Sequence, residues 1–337
     1  MLRGGIVGLG RLGQQYVRLL QQDERTTVGG VYDLDAALTE RIGREHGVHA
    51  CRSLDELIDE CRLDFLYVGT PDFAHLEATL RAVEAGLDVL VDKPLTTNLA
   101  DALTIRAAVV KAGVRCVTAF SNRYNPPFVA AKGAIDRGDI GAVRIFNGRL
   151  NDAIWVPTDM LSWAASSTPG WFLMSHVADV AQWLSGQQPV EVYGNQVVGR
   201  LKALGVDTID SLHASVSYGD GGHGFFESQW ILPNGLTQAF DMKLDIVGTE
   251  GSVHIDSHYQ AIQVVTDRPR NPGAFDIEIN GRLLGQTAFL FQAFVDAIVA
   301  DREADISIDE GVENVRLIEA VHESAKARSP MRLSAST

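Results

Sequence analysis

Apolar and polar positions follow one rhythm in the first 120 residues and another afterwards. The first part alternates short apolar runs with helically spaced segments: the run Leu2–Val7 is followed by Leu12, Tyr16, Leu19 and Leu20 on one helix face. Strands follow at 28–32, Phe65–Val68, 89–91 and 114–120. Between them lie a capping-box pattern, Ser53-Leu54-Asp55-Glu56, a helix with Leu76, Leu80 and Val83 on one face that stops at Gly86, and a helix opened by Asn98 with Asp101. Strand alternating with helix predicts a parallel sheet.

After Ser121 the period changes to two. Leu212, Ala214, Val216 and Tyr218 alternate with Ser211, His213, Ser215 and Ser217, and Gly219-Asp220-Gly221-Gly222 turns the chain into a strand at 225–232. Further strands at 143–150, 191–198, 243–247, 253–256 and 262–266 predict a sheet of five or six strands, mostly antiparallel and open-faced. Helices at 127–137, 171–184, 287–300 and 311–327 are available to cover one side of it. The expected division is residues 1–120 and 121–337, an α/β domain followed by an α+β domain whose second sheet face, where apolar, would serve self-association.

Composition narrows the function classes. The 43 acidic residues outweigh 29 basic ones for a net charge of −14, which disfavours nucleic acid and anionic membrane as partners. The chain runs from Met1 straight into strand Leu2–Val7 without a leader pattern, and no apolar stretch is long enough to span a bilayer, so a cytoplasmic protein is expected. Cys51, Cys61 and Cys116 lack Cys-X-X-Cys spacing and read as small core residues without a metal or redox role.

Gly8-Leu9-Gly10-Arg11-Leu12-Gly13 stands between the first strand and the first helix, where a dinucleotide-binding loop belongs. Gly8 suits the tight turn, Gly10 a close backbone approach to a pyrophosphate, and Gly13 close packing of helix on strand. The first domain therefore reads as a Rossmann domain. Asp33, at the end of the second strand, is placed to accept hydrogen bonds from ribose hydroxyls and to repel a 2′-phosphate, which favours NAD over NADP. Arg11 keeps NADP open, and a helix cap is the structural alternative for Asp33. Thr70, Pro71, His75, Asp92 and Lys93 follow the third and fourth strands, at the carboxyl ends where ligands bind in open α/β sheets. A lysine there suits a donor or base beside a reacting hydroxyl. In the helix at 171–184, Phe172, His176, Asp179 or Val180, and Trp183 share a stripe. His176 reads either as a core histidine or as a proton-transferring group whose tautomer Asp179 holds.

These landmarks, with Gly69-Thr70-Pro71, Asp92-Lys93-Pro94, Asn122-Arg123-Tyr124, Gly138-Asp139-Ile140-Gly141 and Gly248-Thr249-Glu250-Gly251, resemble in order and spacing the glucose-fructose oxidoreductase, inositol dehydrogenase and rhizopine-catabolism family, Gfo/Idh/MocA. The resemblance implies hydride transfer between nicotinamide and a hydroxyl or ketone carbon of a sugar, cyclitol or glycoside. It implies that Lys93 contacts the reacting oxygen and that His176 exchanges its proton. Cofactor contacts are then expected from Gly8, Gly10, Arg11, Leu12, Gly13, Asp33, Thr70, Pro71, His75, Asp92 and Lys93. Substrate contacts are expected from Lys93, Arg123, Tyr124, Asp152, Trp163, Phe172 and His176, with assembly into a homodimer or homotetramer through the second sheet. One departure stands out: the family commonly has Asp four residues before the histidine, and this chain has Phe172. Asp152 or Asp179 would have to compensate, and the pocket is expected to favour a substrate with an apolar face. Two other functions stay open, an NAD-dependent glycosidase acting by transient oxidation and a non-catalytic NAD(P)-binding sensor.

Overall fold

The computed structural model describes residues 1–235, 240–257 and 276–333. The strand expected at 262–266 and the C-terminal Ser-Ala-Ser-Thr lie outside the described residues. The chain forms two compact units, Met1–Ser121 with Glu278–Val315, and Asn122–Ile277 with Arg316–Thr337.

In the first unit β1 (Leu2–Val7), β2 (Thr26–Tyr32), β3 (Phe65–Val68), β4 (Asp88–Val91) and β5 (Cys116–Thr118) form a parallel sheet in the order β2-β1-β3-β4-β5. Every residue of β3 and β4 is buried, as expected of strands covered on both faces. The crossover helices are α1 (Arg11–Gln22), α2 (Ala36–His46), α3 (His75–Glu84) and α4 (Leu99–Ala112). Asn98 caps α4 by accepting from the Asp101 amide, as the sequence suggested. The segment after Ser53 makes one wide turn, Glu56–Glu60, instead of a regular helix, although the Glu56 amide does donate to Ser53 Oγ. Because β1 lies between β2 and β3, the winding direction reverses there, and the loops after β1 and β3 flank the crevice in which such sheets bind ligands.

Helix Gln286–Val299 belongs to this unit, which corrects the expectation that 287–300 covers the second sheet. Phe291 meets Tyr16 edge-on at 6.0 Å, and Phe294 meets Phe65 at 5.5 Å. The apolar periodicity was sufficient to show that the helix is buried, but not against which sheet.

The second unit carries α5 (Pro126–Asp136), β6 (Val143–Asp152), α6 (Ser175–Ser185), β7 (Pro189–Val197), β8 (Ser211–Tyr218), β9 (His223–Gln229), β10 (Phe240–Gly248) and β11 (Ser252–Asp256). With Met331–Arg332 they form a seven-stranded sheet in the order β11-β10-β6-β9-β8-β7 and then the terminal strand. All neighbours are antiparallel except β6 and β9, so the sheet is mixed. The two-residue terminal strand is too short to leave a periodic signal. The alternation in β8 is observed, with Leu212, Ala214, Val216 and Tyr218 all buried. On this buried side the C-terminal part of helix Ile308–Ala327 lies hard against β7. A Cβ on Gly194 would stand 2.1 Å from the Val321 carbonyl oxygen, and the Gly194 amide donates to Ser324 Oγ at 2.8 Å. The other side is open: Tyr193 and Phe225 are 44% and 53% exposed beside a groove of about 390 Å³.

The same helix brings His322 under Trp171, rings stacked at 5.0 Å. Nδ1–H donates to the Ile318 carbonyl and Nε2 accepts from Thr168 Oγ1, both at 2.8 Å, so the ring is fully used as a neutral imidazole. Burial pushes its pKa down to about 4. The unfolded chain, whose histidine titrates near 6.5, therefore takes up a proton that the folded chain refuses between those two pH values. Stability falls as pH drops from about 6.5 to about 4, by about 3 kcal/mol from this group. Denaturant titrations at pH 7 and 4.5 should show a smaller loss in His322→Gln than in the parent; equal losses would refute the assignment.

Candidate active site

At the glycine loop of the first unit, Gly8 and Gly13 stand where no other residue fits without moving backbone. Gly8 sits at φ +86, and a Cβ there would lie 2.4 Å from the Gly69 carbonyl carbon and oxygen. A Cβ on Gly13 would lie 1.9 Å from the Gly8 oxygen, whereas at Gly10 nothing stands within 4 Å. The loops after β1 and β3 thus touch, α1 rests on the turn, and the space over exposed Gly10 stays clear. Helix α1 begins with no side-chain cap and no acidic residue in its first turn, so its amides and dipole are available to an anion. Arg11 is exposed and Leu12 half-buried beside that opening.

Asp33 is half-buried, with Oδ2 accepting from the Leu9 amide at 2.7 Å and Oδ1 from the Asp35 amide at 2.9 Å. It ties the glycine loop to the end of β2. It does not cap α2: Asp35 does, accepting from the Leu38 amide. Each Asp33 oxygen retains acceptor capacity for a ribose hydroxyl. These donors and acceptors fit a dinucleotide.

The loops after β3 and β4 are joined by His75, 1% exposed, whose Nδ1 lies 2.8 Å from the Pro94 oxygen and Nε2 3.0 Å from the Thr70 oxygen. Its imidazole faces two backbone carbonyls and positions the segments that carry Thr70, Pro71 and Lys93. Asp92 Oδ1 accepts from the Lys93 amide at 2.8 Å, and the Lys93–Pro94 peptide is cis. Lys93 is itself 9% exposed, an unusual depth for a lysine beyond the carboxyl end of a parallel strand.

In the second unit Phe172 lies in a wide turn, Gly170–Met174, that runs directly into α6, with half-buried His176 in the first turn of that helix. Phe172 packs edge-on to Trp163 at 5.9 Å and against Trp230 at 5.7 Å. Phe172 is therefore one ring of an aromatic cluster. Trp230 was missed from the sequence. It is fully buried behind Phe172, and the alternation placed it in a strand without assigning it a role.

Arg123 and Asp179 form a buried pair: Arg123 Nη2 donates to Asp179 Oδ1 at 2.6 Å and Nε lies 3.1 and 3.2 Å from the two oxygens. The guanidinium also lies 5.9 Å over the Trp183 ring. Asp179 thus serves Arg123, a partner that spacing along one helix could not reveal. Tyr124 is half-buried beside Arg123 in the turn Ser121–Tyr124, and Asp152 ends β6 at 7% exposure.

Residues 2–120 match the profile of the Gfo/Idh/MocA oxidoreductase family with an NAD-binding Rossmann fold, and residues 128–254 match the Gfo/Idh/MocA C-terminal domain. The chain belongs to the Gfo/Idh/MocA family. Scyllo-inositol 2-dehydrogenase (NAD(+)) of Bacillus subtilis is 25% identical over 92% of each chain. Among solved structures, myo-inositol 2-dehydrogenase of Lactobacillus plantarum aligns with a TM-score of 0.83 at 21% identity over 99% of each chain. Scyllo-inositol dehydrogenase of Lactobacillus casei, with bound NAD(H) and scyllo-inositol, aligns with a TM-score of 0.82 at 17% identity over 98% of this chain and 99% of the other. As a Gfo/Idh/MocA member this protein is an NAD-dependent oxidoreductase acting on CH–OH groups. No helix among the described residues is long and apolar enough to cross a membrane.

Proposed function

We propose that this oxidoreductase transfers hydride between NAD and a secondary hydroxyl or ketone carbon of a cyclitol or sugar derivative that presents an apolar face, such as a glycoside. The observation that carries the reading is the aromatic cluster of Phe172, Trp163 and Trp230, formed at the position where the family resemblance leads one to expect an aspartate. Aromatic rings pack against the C–H face of a sugar or an aglycone but cannot accept a hydroxyl hydrogen bond.

When bound, the nicotinamide cofactor supplies the hydride acceptor or donor. The uncapped start of α1 would hold the pyrophosphate, and the two oxygens of Asp33 would accept from the ribose hydroxyls and repel a 2′-phosphate, which would select NAD. Lys93 donates a hydrogen bond to the reacting oxygen and stabilises negative charge as it develops there. His176 takes the hydroxyl proton in oxidation and returns it in reduction, a role that needs a neutral ring when an alcohol is the substrate. Tyr193 and Phe225, on the open face of the second sheet, form the surface through which copies associate as a homodimer or homotetramer.

Inositols, free sugars and glycosides, each assayed with NAD and NADP at the nicotinamide absorbance band, test the reading. Glycosides turned over with NAD and a net absorbance change are expected. Equal or better turnover of free inositol would refute the apolar-face preference, and glycoside cleavage without net absorbance change would mark a glycosidase with internal cofactor recycling. Phe172→Asp is expected to move the kcat/KM ratio of free polyol to glycoside upward by about tenfold or more, the scale set by gaining one charge-assisted hydrogen bond. An unchanged ratio would separate Phe172 from substrate choice.

A further inference from the structure

Two cysteines that stand ten residues apart in sequence meet in the first unit. Cys51 Sγ and Cys61 Sγ are 3.6 Å apart, both thiols free and buried, and the donor atoms of His49, Cys51 and Cys61 all lie within 4.8 Å of one another. All three cysteines are buried core residues, as the sequence suggested, but Cys51 and Cys61, unlike Cys116 in β5, also stand side by side.

We propose that His49, Cys51 and Cys61 form a binding site for a zinc-class divalent cation, separate from the nucleotide-binding loop. The geometry and the chemistry agree. Two thiolates bound to zinc at about 2.3 Å in a tetrahedron stand roughly 3.8 Å apart, close to the separation already present. Sulfur and imidazole are the donors that borderline-soft ions such as zinc prefer over magnesium or calcium.

The surroundings support the same site. His49 Nε2 lies 3.2 Å from Glu56 Oε1, so Nε2–H donates to the carboxylate and Nδ1 is the nitrogen left for the ion. A carboxylate behind a ligating imidazole is the usual means of fixing its orientation and raising its basicity. Glu56 is held in turn, its Oε2 accepting from the Arg52 amide at 2.9 Å. The His49 side chain is 55% exposed while Cys51 and Cys61 are 3% and 6% exposed, so the ion enters from solvent past the histidine and rests on the sulfurs. Three protein ligands leave the fourth position to water.

The site is anchored to β2, the strand that leads into Asp33. The Val31 amide donates to the His49 oxygen and the Cys51 amide to the Val31 oxygen, each at 2.9 Å. Both sulfurs press on Gly30, where a Cβ would stand 2.8 and 2.9 Å from them. An ion there clamps the crossover from β2 to β3 onto β2, the edge strand of the parallel sheet. Binding turns two thiols into two thiolates and releases their two protons to solvent, with no change of oxidation state.

The full chain, reduced and then stripped with a chelator, is titrated with Co²⁺ as a spectroscopic substitute for Zn²⁺. The expected result is thiolate-to-cobalt charge-transfer absorption with tetrahedral d–d bands, saturating at one ion per chain, bleached by Zn²⁺ and accompanied by a rise in Tm with Zn²⁺. Cys61→Ser removes the charge-transfer band, Glu56→Gln weakens binding by about tenfold or more, and Cys116→Ser leaves it intact. Should Cys61→Ser fail to fold, exposed His49→Ala decides, with weakened binding expected. No charge-transfer band in the reduced parent overturns the proposal, as do bands that survive Cys61→Ser or a Co²⁺ affinity that is unchanged in His49→Ala. So does a thiol count showing Cys51 and Cys61 joined to each other before reduction.

Discussion

Lys93→Ala is expected to lower kcat/KM by about 10²–10⁴, the usual loss when a positioned donor or proton-transfer partner is removed. The dissociation constant for NAD should change little by comparison. The expectation separates two roles that burial alone does not. Lys93 is 9% exposed, and its backbone amide is held by Asp92, so the Asp92-Lys93-Pro94 turn keeps its shape whatever the side chain. Loss of activity in the variant therefore reports the ammonium group and not the turn. Lys93→Met retains the aliphatic stem and its packing while removing the charge. If both variants lose activity alike and both bind NAD by calorimetry with near-parental affinity, the charge acts on the reacting oxygen. If Lys93→Met keeps activity within about threefold of the parent, the lysine is packing and the proposed chemistry is wrong. His176→Gln should fall in the same range, with a pH–rate profile that loses the limb set by a titrating imidazole.

The parallel sheet was legible because its signals are local. A buried four-residue run such as Phe65–Val68, a glycine loop between strand and helix, and the Asn98 cap each act over a few residues. The clearance over Gly10 and the close packing of Gly13 on the turn match the roles read for that loop, whereas the contact between Gly8 and Gly69 joins two loops that no local pattern links. What stayed hidden depends on which distant segments meet. Helix Gln286–Val299 has an apolar pattern that either sheet could accept, and only the packing of Phe291 and Phe294 decides. The parallel pairing of β6 with β9 is equally invisible to a period-two pattern, which is the same for both strand directions. In the candidate site, Phe172 on the stripe of His176 was visible, but Trp230 behind it was not. Cys51 and Cys61 meet because the segment after Ala50 folds back across Gly30, and cysteine spacing carries no trace of that turn.

Arg123→Ala is expected to cost about 3–5 kcal/mol of stability, because it removes one partner of a buried ion pair. Asp179 is 3% exposed, and the guanidinium grips it through Nε and Nη2, so the variant loses a bidentate, charge-assisted contact at a buried carboxylate. The Asn122-Arg123-Tyr124 landmark suggested a substrate contact, and the pair shows a structural task for the same side chain. The double variant Arg123→Met with Asp179→Leu discriminates between the two. It replaces both charges by apolar groups of similar volume, a change that is commonly neutral or stabilising for buried pairs, so most of the lost stability should return. Urea titrations read that return, and substrate kinetics on the refolded double variant read the rest. Parental KM and kcat would make the pair purely structural, whereas restored stability with a raised KM would show that Arg123 holds Asp179 and touches substrate as well. A single variant that costs less than about 1 kcal/mol would mean that solvent reaches the carboxylate and that the pair is not buried in the working protein.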